Sequence, residues 1–227
     1  MVEQLLINVD DYDVPDANRL VTEDDTPVDN FASAKQQRLL VGSLYSSLQQ
    51  MFLAEANVGI YHTYGEPPIV PDVFVSFDVQ VPENWWEKQN RCYLVWRFGK
   101  SPEVAIEIVS NQEGEELGKK LRIYEHIKVN YYIIYDQNRQ LGEQVLRVYA
   151  LKNRRYVEVT ENWLEDINLG VTLSEGEFEG RHDTWLRWCY QDRTVLPTGD
   201  ERAQQAERRV QLLAERLRAL GVDPHNM

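Results

Sequence analysis

Two carboxylates and a lysine stand where each needs a partner. Glu107 interrupts the β-branched run Val104-Ala105-Ile106-Glu107-Ile108-Val109, whose other side chains are apolar. A charge buried alone in such a strand costs roughly several kcal/mol. Asp72 follows Pro71 at the mouth of a second apolar run, Val73 to Phe77, which can pair with the Glu107 strand and set the two carboxylates side by side. Two such groups repel unless a cation lies between them, and Mg²⁺ commonly takes one or two carboxylates and keeps its other positions for water and phosphate. Lys120 shares a face with Leu117, Tyr124 and Ile127 by three- and four-residue spacing, which turns its stem toward the sheet.

The elements that must position these groups form a strand, a helix and a strand. Val104 to Val109 is the first strand, Asn111 and Gln112 break it, Glu113 to Lys128 has helical spacing, and Tyr131 to Tyr135 is a second buried strand closing in Asp136. Parallel strands joined by a helix cross over right-handedly, so the helix covers one face of the sheet. Asp136 reads as a strand-end cap rather than a ligand.

Upstream, the sequence predicts a helix capped at Ser33, with Val41, Leu44, Tyr45, Leu48, Met51 and Phe52 as its apolar stripe. It predicts a strand over Asn57 to Tyr64, turned by Gly65-Glu66-Pro67-Pro68 toward Asp72. Between Pro82 and Pro102, Trp85, Trp86, Tyr93 and Trp96 alternate with Lys88, Arg91, Arg97 and Lys100. This stretch is either a platform for bases and phosphates or an edge hairpin with solvated charges.

Downstream, Gln144 to Leu151 and Arg155 to Thr160 read as a hairpin turning at Lys152-Asn153. Asn162 to Glu179 reads as irregular, Thr184 to Tyr190 as a short helix, and Thr194 to Gly199 as a linker. From Thr198-Gly199-Asp200-Glu201, a capping box, the residues Ala203, Ala206, Val210, Leu213, Leu217 and Leu220 recur as a heptad seam that Gly221 and Pro224 end. That seam fits a stripe packed on the domain or a coiled coil between two copies.

The chain has 227 residues and 26.6 kDa, enough for one well-cored domain and an appendage. Its net charge of −13 argues against a broad nucleic-acid-binding surface. Met1 to Asn30 carries −8 and Glu158 to Glu179 carries −7, so the remainder carries +2. The region of the candidate site is therefore not acidic overall. Cys92 and Cys189 lack the spacing of a zinc site or a disulfide scaffold, and His62, His126, His182 and His225 show no ligand spacing. Without a signal-like start or a long apolar run, the expected location is the cytoplasm.

Taken in order, Pro71-Asp72, Glu107-Ile108-Val109-Ser110, Lys120-Leu121-Arg122-Ile123-Tyr124 and the strand closing in Asp136 resemble the bacterial Uma-type family of putative restriction endonucleases, within the PD-(D/E)XK nuclease superfamily. The resemblance runs from about Ser33 to Tyr190, and the Glu/Arg/Leu tail is also similar to tails in that family. It implies an α/β fold with a restriction-endonuclease-like core, a mixed sheet flanked by helices and a C-terminal coiled-coil-like helix. The implied layout is an acidic arm over 1–32, a nuclease-like domain over 33–195 and an amphipathic helix over 198–222.

The activity implied is metal-dependent cleavage of phosphodiesters, read here as Mg²⁺-dependent (Mn²⁺ as a substitute) and acting on DNA, and the heptad seam adds the expectation of a homodimer. Asp72 and Glu107 would hold the ion, with the main-chain carbonyl of Ile108 or Val109 as a further ligand. Lys120 would orient or activate the attacking water, and Tyr124 would support it. Two departures from the superfamily pattern stand out. The lysine position two after the glutamate is Val109, so the function shifts to Lys120; Lys119 faces about a hundred degrees away. The first core helix offers Gln36, Gln37, Gln49 and Gln50 instead of an acid, with Glu55 only at its end. The competing readings are a catalytically degenerate fold serving as a nucleic-acid or protein interaction module, and an acidic oligomeric scaffold.

Overall fold

Asn30 opens the first helix, α1 (Phe31–Ser47): its side-chain oxygen accepts from the amides of Ala32 and Ser33, so the cap lies upstream of the expected Ser33. The computed structural model describes residues 30–80, 82–110 and 115–220; residues 1–29 of the expected acidic arm, the break at Asn111-Gln112 and the end signals Gly221 and Pro224 lie outside them, and the arm's expected last residues, 31–32, belong to α1. The buried face of α1 is Gln36, Gln37, Leu39, Leu40, Ser43 and Leu44. The stripe read from the sequence is corrected, because the helix ends at Ser47, Tyr45 and Met51 are exposed, and Phe52 begins a strand. Two glutamines on the inner face hide it from a reading based on apolar periodicity.

In chain order there follow β1 (Phe52–Ala56), β2 (Ile60–Tyr61), β3 (Val73–Phe77), β4 (Tyr93–Leu94), α2 (Val95–Phe98), β5 (Val104–Ile108), α3 (Leu121–His126), β6 (Tyr131–Tyr135), β7 (Leu146–Lys152) and β8 (Arg155–Val159). The main sheet has the order β1-β3-β5-β6-β7-β8, and β5 and β6 are its parallel pair. This is the expected strand–helix–strand unit. The strand expected at Asn57 to Tyr64 is reduced to the two-residue β2; the longer strand β1 lies before it, and Asn57, with a positive φ of 55°, breaks the extended run between the two. The tryptophan-rich stretch is no hairpin: β4 pairs in parallel with β2, Trp86 is 88% exposed, and Arg91 and Arg97 donate to the loop's own carbonyls.

The β7–β8 hairpin is present, with Lys152 paired to Arg155 around a two-residue loop of Asn153 and Arg154, both at positive φ. The turn is thus one residue later than expected, as a tight primed turn requires.

The largest correction lies in 162–190. These residues form a second sheet, β9 (Trp163–Leu164), β10 (Leu169–Phe178) and β11 (Arg181–Cys189), in the order β11-β10-β9. The expected short helix at Thr184 is strand: Trp185, Leu186 and Trp188 are buried, and Glu179 and Gly180 at positive φ make the turn. Gln36 exchanges two hydrogen bonds with the main chain of Leu186, and the Trp188 indole donates to the Leu40 carbonyl. Lys35 and Arg38 hold the Glu179 carboxylate, tying this turn to α1.

One face of the main sheet, with Val73, Val75, Val104, Ile106 and Ile133, packs on α1 and the second sheet. The other face, with Phe74, Ala105, Tyr132 and Ile134, packs on Tyr124 and Ile127 of the α3 region. A final helix, α4 (Gly199–Ala219), starts at the predicted capping box of Thr198 and Glu201. Glu201 also makes two hydrogen bonds with the buried Arg187, and Arg202 donates to the Ser46 carbonyl, so the first turn is fixed to the domain. No residue of α4 is buried, and Val210 and Leu213 of the seam are exposed.

Candidate functional site

Antiparallel pairing aligns Val73 with Ile106, which places Asp72, one step upstream of β3, across from Glu107. Pro71, which has no amide to donate, precedes the strand, where a missing ladder bond is tolerated. Glu107 projects to the same face as Ala105, toward α3, and is 2% exposed. Asp72 Oδ2 accepts from the Ile108 amide at 2.6 Å, so the main chain beside Glu107 anchors the neighbouring carboxylate.

The helix expected over Glu113 to Lys128 is shorter. Among the described residues it begins with a π-helical turn, Glu116–Lys120, and becomes α-helical at Leu121. The Lys120 amide bonds back to the Glu115 carbonyl, five residues earlier, at 3.2 Å, and Glu115 has a positive φ of 55°. Such wide turns recur at functional sites because they re-aim the side chains that follow. Leu117 is exposed and leaves the predicted face, whereas Tyr124 and Ile127 stay on it.

Lys120 Nζ lies 2.8 Å from Glu107 Oε2, and the Tyr124 hydroxyl donates to Glu107 Oε1 at 2.7 Å. Tyr124 packs on Tyr132 with ring centroids 4.8 Å apart. The structure therefore brings Asp72, Glu107, Ile108, Lys120 and Tyr124 together. Two further residues join them. Gln37 donates from α1 to Asp72 Oδ1 at 2.9 Å, and Glu116 Oε1 lies 3.4 Å from Lys120 Nζ. The sequence marks Gln37 only as one of the glutamines that stand on the first helix in place of an acid, and marks Glu116 only by its four-residue spacing from Lys120.

Burial pushes the Glu107 carboxyl up to about 7; the ammonium of Lys120 counteracts this only in part, and the charge of Asp72 adds to it. Burial would lower the Lys120 ammonium, but Glu107, then Glu116 and Asp72, together raise it above its ordinary value. The Tyr124 hydroxyl is raised by burial and by Glu107, so it remains a donor.

Other candidates are placed elsewhere. Both oxygens of Asp136 accept amides of its own turn, from Gln140 and Leu141, as a cap does. Cys92 and Cys189 are buried, and neither forms a disulfide among the described residues. Among the described residues no group of three or more His, Cys, Asp or Glu side chains converges as a metal cluster, and no helix is long and apolar enough to cross a membrane.

The Uma2 family model, described as a putative restriction endonuclease, matches residues 22–175, more than half of the chain. No curated protein matches it. The mixed sheet flanked by helices is consistent with a restriction-endonuclease-like fold.

Proposed function

The chain belongs to the Uma2 family of putative restriction endonucleases, and from that membership we propose that it is a Mg²⁺-dependent endonuclease hydrolysing phosphodiester bonds in DNA. The family supports nuclease activity, its description as restriction endonucleases supports DNA as the substrate, and the grouping of acidic side chains with Lys120 supports the choice of ion and residues. The observation that carries this reading is Lys120 drawn to 2.8 Å from a buried Glu107 that stands opposite Asp72.

The donor set fits a hard divalent cation. Glu107 accepts one hydrogen bond on each oxygen, which leaves each oxygen a further lone pair. Its raised affinity for a proton is what an adjacent double positive charge would relieve. Asp72 and Glu107, with the main-chain carbonyl of Ile108, would hold Mg²⁺, or Mn²⁺ in its place. When bound, the ion supplies Lewis acidity at the phosphate and a more acidic water.

The chain's own groups do the rest. Lys120, kept protonated by its carboxylate neighbours, donates to the phosphate and the attacking water and offsets developing charge. Tyr124 orients Glu107, and Gln37 and the Ile108 amide orient Asp72.

We further propose a cytoplasmic homodimer joined through α4. The helix is roughly 30 Å long at 1.5 Å per residue, and its apolar seam is uncovered within one copy. Arg202, Arg209 and Arg216 line one edge of the seam, which disfavours antiparallel pairing because it sets like edges together.

The test is calorimetric titration of Mg²⁺ and Mn²⁺ into the wild type, Asp72→Ala and Glu107→Ala, beside nicking of supercoiled plasmid. Binding lost in both variants, with metal-dependent nicking abolished by Lys120→Ala, supports the reading. A wild type that neither binds nor nicks points to a degenerate fold acting as an interaction module.

A further inference from the structure

Glu116 is a second buried acid beside Lys120, and its carboxylate leaves most of its hydrogen-bonding capacity unused among the described residues. Its side chain is 6% exposed. Its structural duty is met by its main-chain carbonyl, which accepts from the Tyr132 hydroxyl at 3.0 Å. Of its carboxylate oxygens, Oε1 makes a long contact of 3.4 Å to Lys120 Nζ, and Oε2 is buried with no hydrogen-bond partner among the described residues. Leaving such an oxygen unsatisfied works against folding, so a chain that retains it has another use for it.

The geometry around Lys120 supplies that use. The ammonium is held tightly by Glu107 and loosely by Glu116. A cation engaging Glu107 competes with Lys120 for the same carboxylate, and a lysine turned loose in a half-buried site would oppose the incoming positive charge. We propose that Glu116 is a positioning residue that receives Lys120 when the cation takes Glu107. Its uncommitted oxygen lets the carboxylate close on the ammonium, so Lys120 stays aimed at the substrate and out of the cation's way. This inference rests on the metal-binding reading above.

The test reads metal affinity rather than cleavage. Mn²⁺ is titrated calorimetrically into the wild type, Glu116→Gln, Lys120→Ala and the double variant, with thermal melting of each to confirm folding. Glu116→Gln is expected to weaken Mn²⁺ binding about tenfold although Glu116 touches no ion, and in the Lys120→Ala background the same change is expected to leave affinity within about twofold.

An equal loss in both backgrounds would make Glu116 a metal ligand or a purely structural residue and overturns the proposal. So does wild-type affinity in the single variant. A wild type that binds no Mn²⁺ removes the metal reading itself, and the inference with it. Should Glu116→Gln fail to fold, Glu116→Ser is read in the same two backgrounds by the same criterion.

Discussion

Gln37 reaches from α1 to Asp72: its amide nitrogen lies 2.9 Å from Asp72 Oδ1, and the same amide group exchanges hydrogen bonds with Asn57. An uncharged donor therefore sets the orientation of one proposed metal ligand. Removing such a support typically costs ten- to a hundredfold in metal affinity. Gln37→Ala is expected to weaken Mn²⁺ binding about tenfold, read by calorimetry, and to lower the melting temperature modestly, as loss of a buried hydrogen-bonded side chain does.

Glu107 makes stability and metal binding depend on pH in opposite senses. Its folded-state value of about 7 exceeds the ordinary 4.5, so the folded chain holds a proton that the unfolded chain has released. This group's contribution is fully present below pH 4.5 and is lost as pH rises through 7, an effect on the order of 3 kcal/mol. Urea denaturation across this range is expected to show a fall that Glu107→Gln removes. Mn²⁺ must displace the same proton, so its apparent affinity is expected to weaken about tenfold per pH unit below 7.

The β7–β8 turn carries avoidable strain. Arg154 sits at a φ of 67°, in the left-handed region, on an exposed two-residue loop after Asn153. Asparagine followed by glycine is the preferred pair for such a turn. Arg154→Gly is expected to stabilise the chain by about 0.5 to 1 kcal/mol in urea denaturation. An unchanged midpoint would mean the arginine makes a compensating contact.

Because no α4 residue is buried within one copy, charges in its seam should break assembly and spare the domain. The double substitution Leu213→Glu with Leu217→Glu is expected to halve the mass seen by sedimentation velocity. The main unfolding transition should stay where it is. A wild type that already sediments as a monomer would dispose of the proposed dimer.

The candidate constellation is legible because a glutamate inside an apolar strand is conspicuous and Lys120 and Tyr124 share helical spacing. The same spacing misled at Leu117, since the π-helical turn changes the angle per residue before the α-helix begins. Gln37 escaped because a glutamine carries no charge to explain, and its partner lies on a distant strand. The β10–β11 hairpin was missed for two reasons. The acidic residues of β10 alternate with partly covered ones on a half-open sheet, and Trp185, Leu186 and Trp188 are too few to separate a two-residue period from a helical one.

The alignment of Val73 with Ile106 has a consequence for the life of the chain before it is folded. Asp72 and Glu107 meet only when β3 and β5 are in register, and a slip of one residue would turn Glu107 from the Lys120 side of the sheet to the α1 side. Lys120 arrives on a helix whose packing needs β6, the strand made after it. A half-synthesised or misassembled chain thus lacks the Asp72–Glu107–Lys120 cluster, and any cleavage that the proposed function assigns to it would begin only once the sheet is complete.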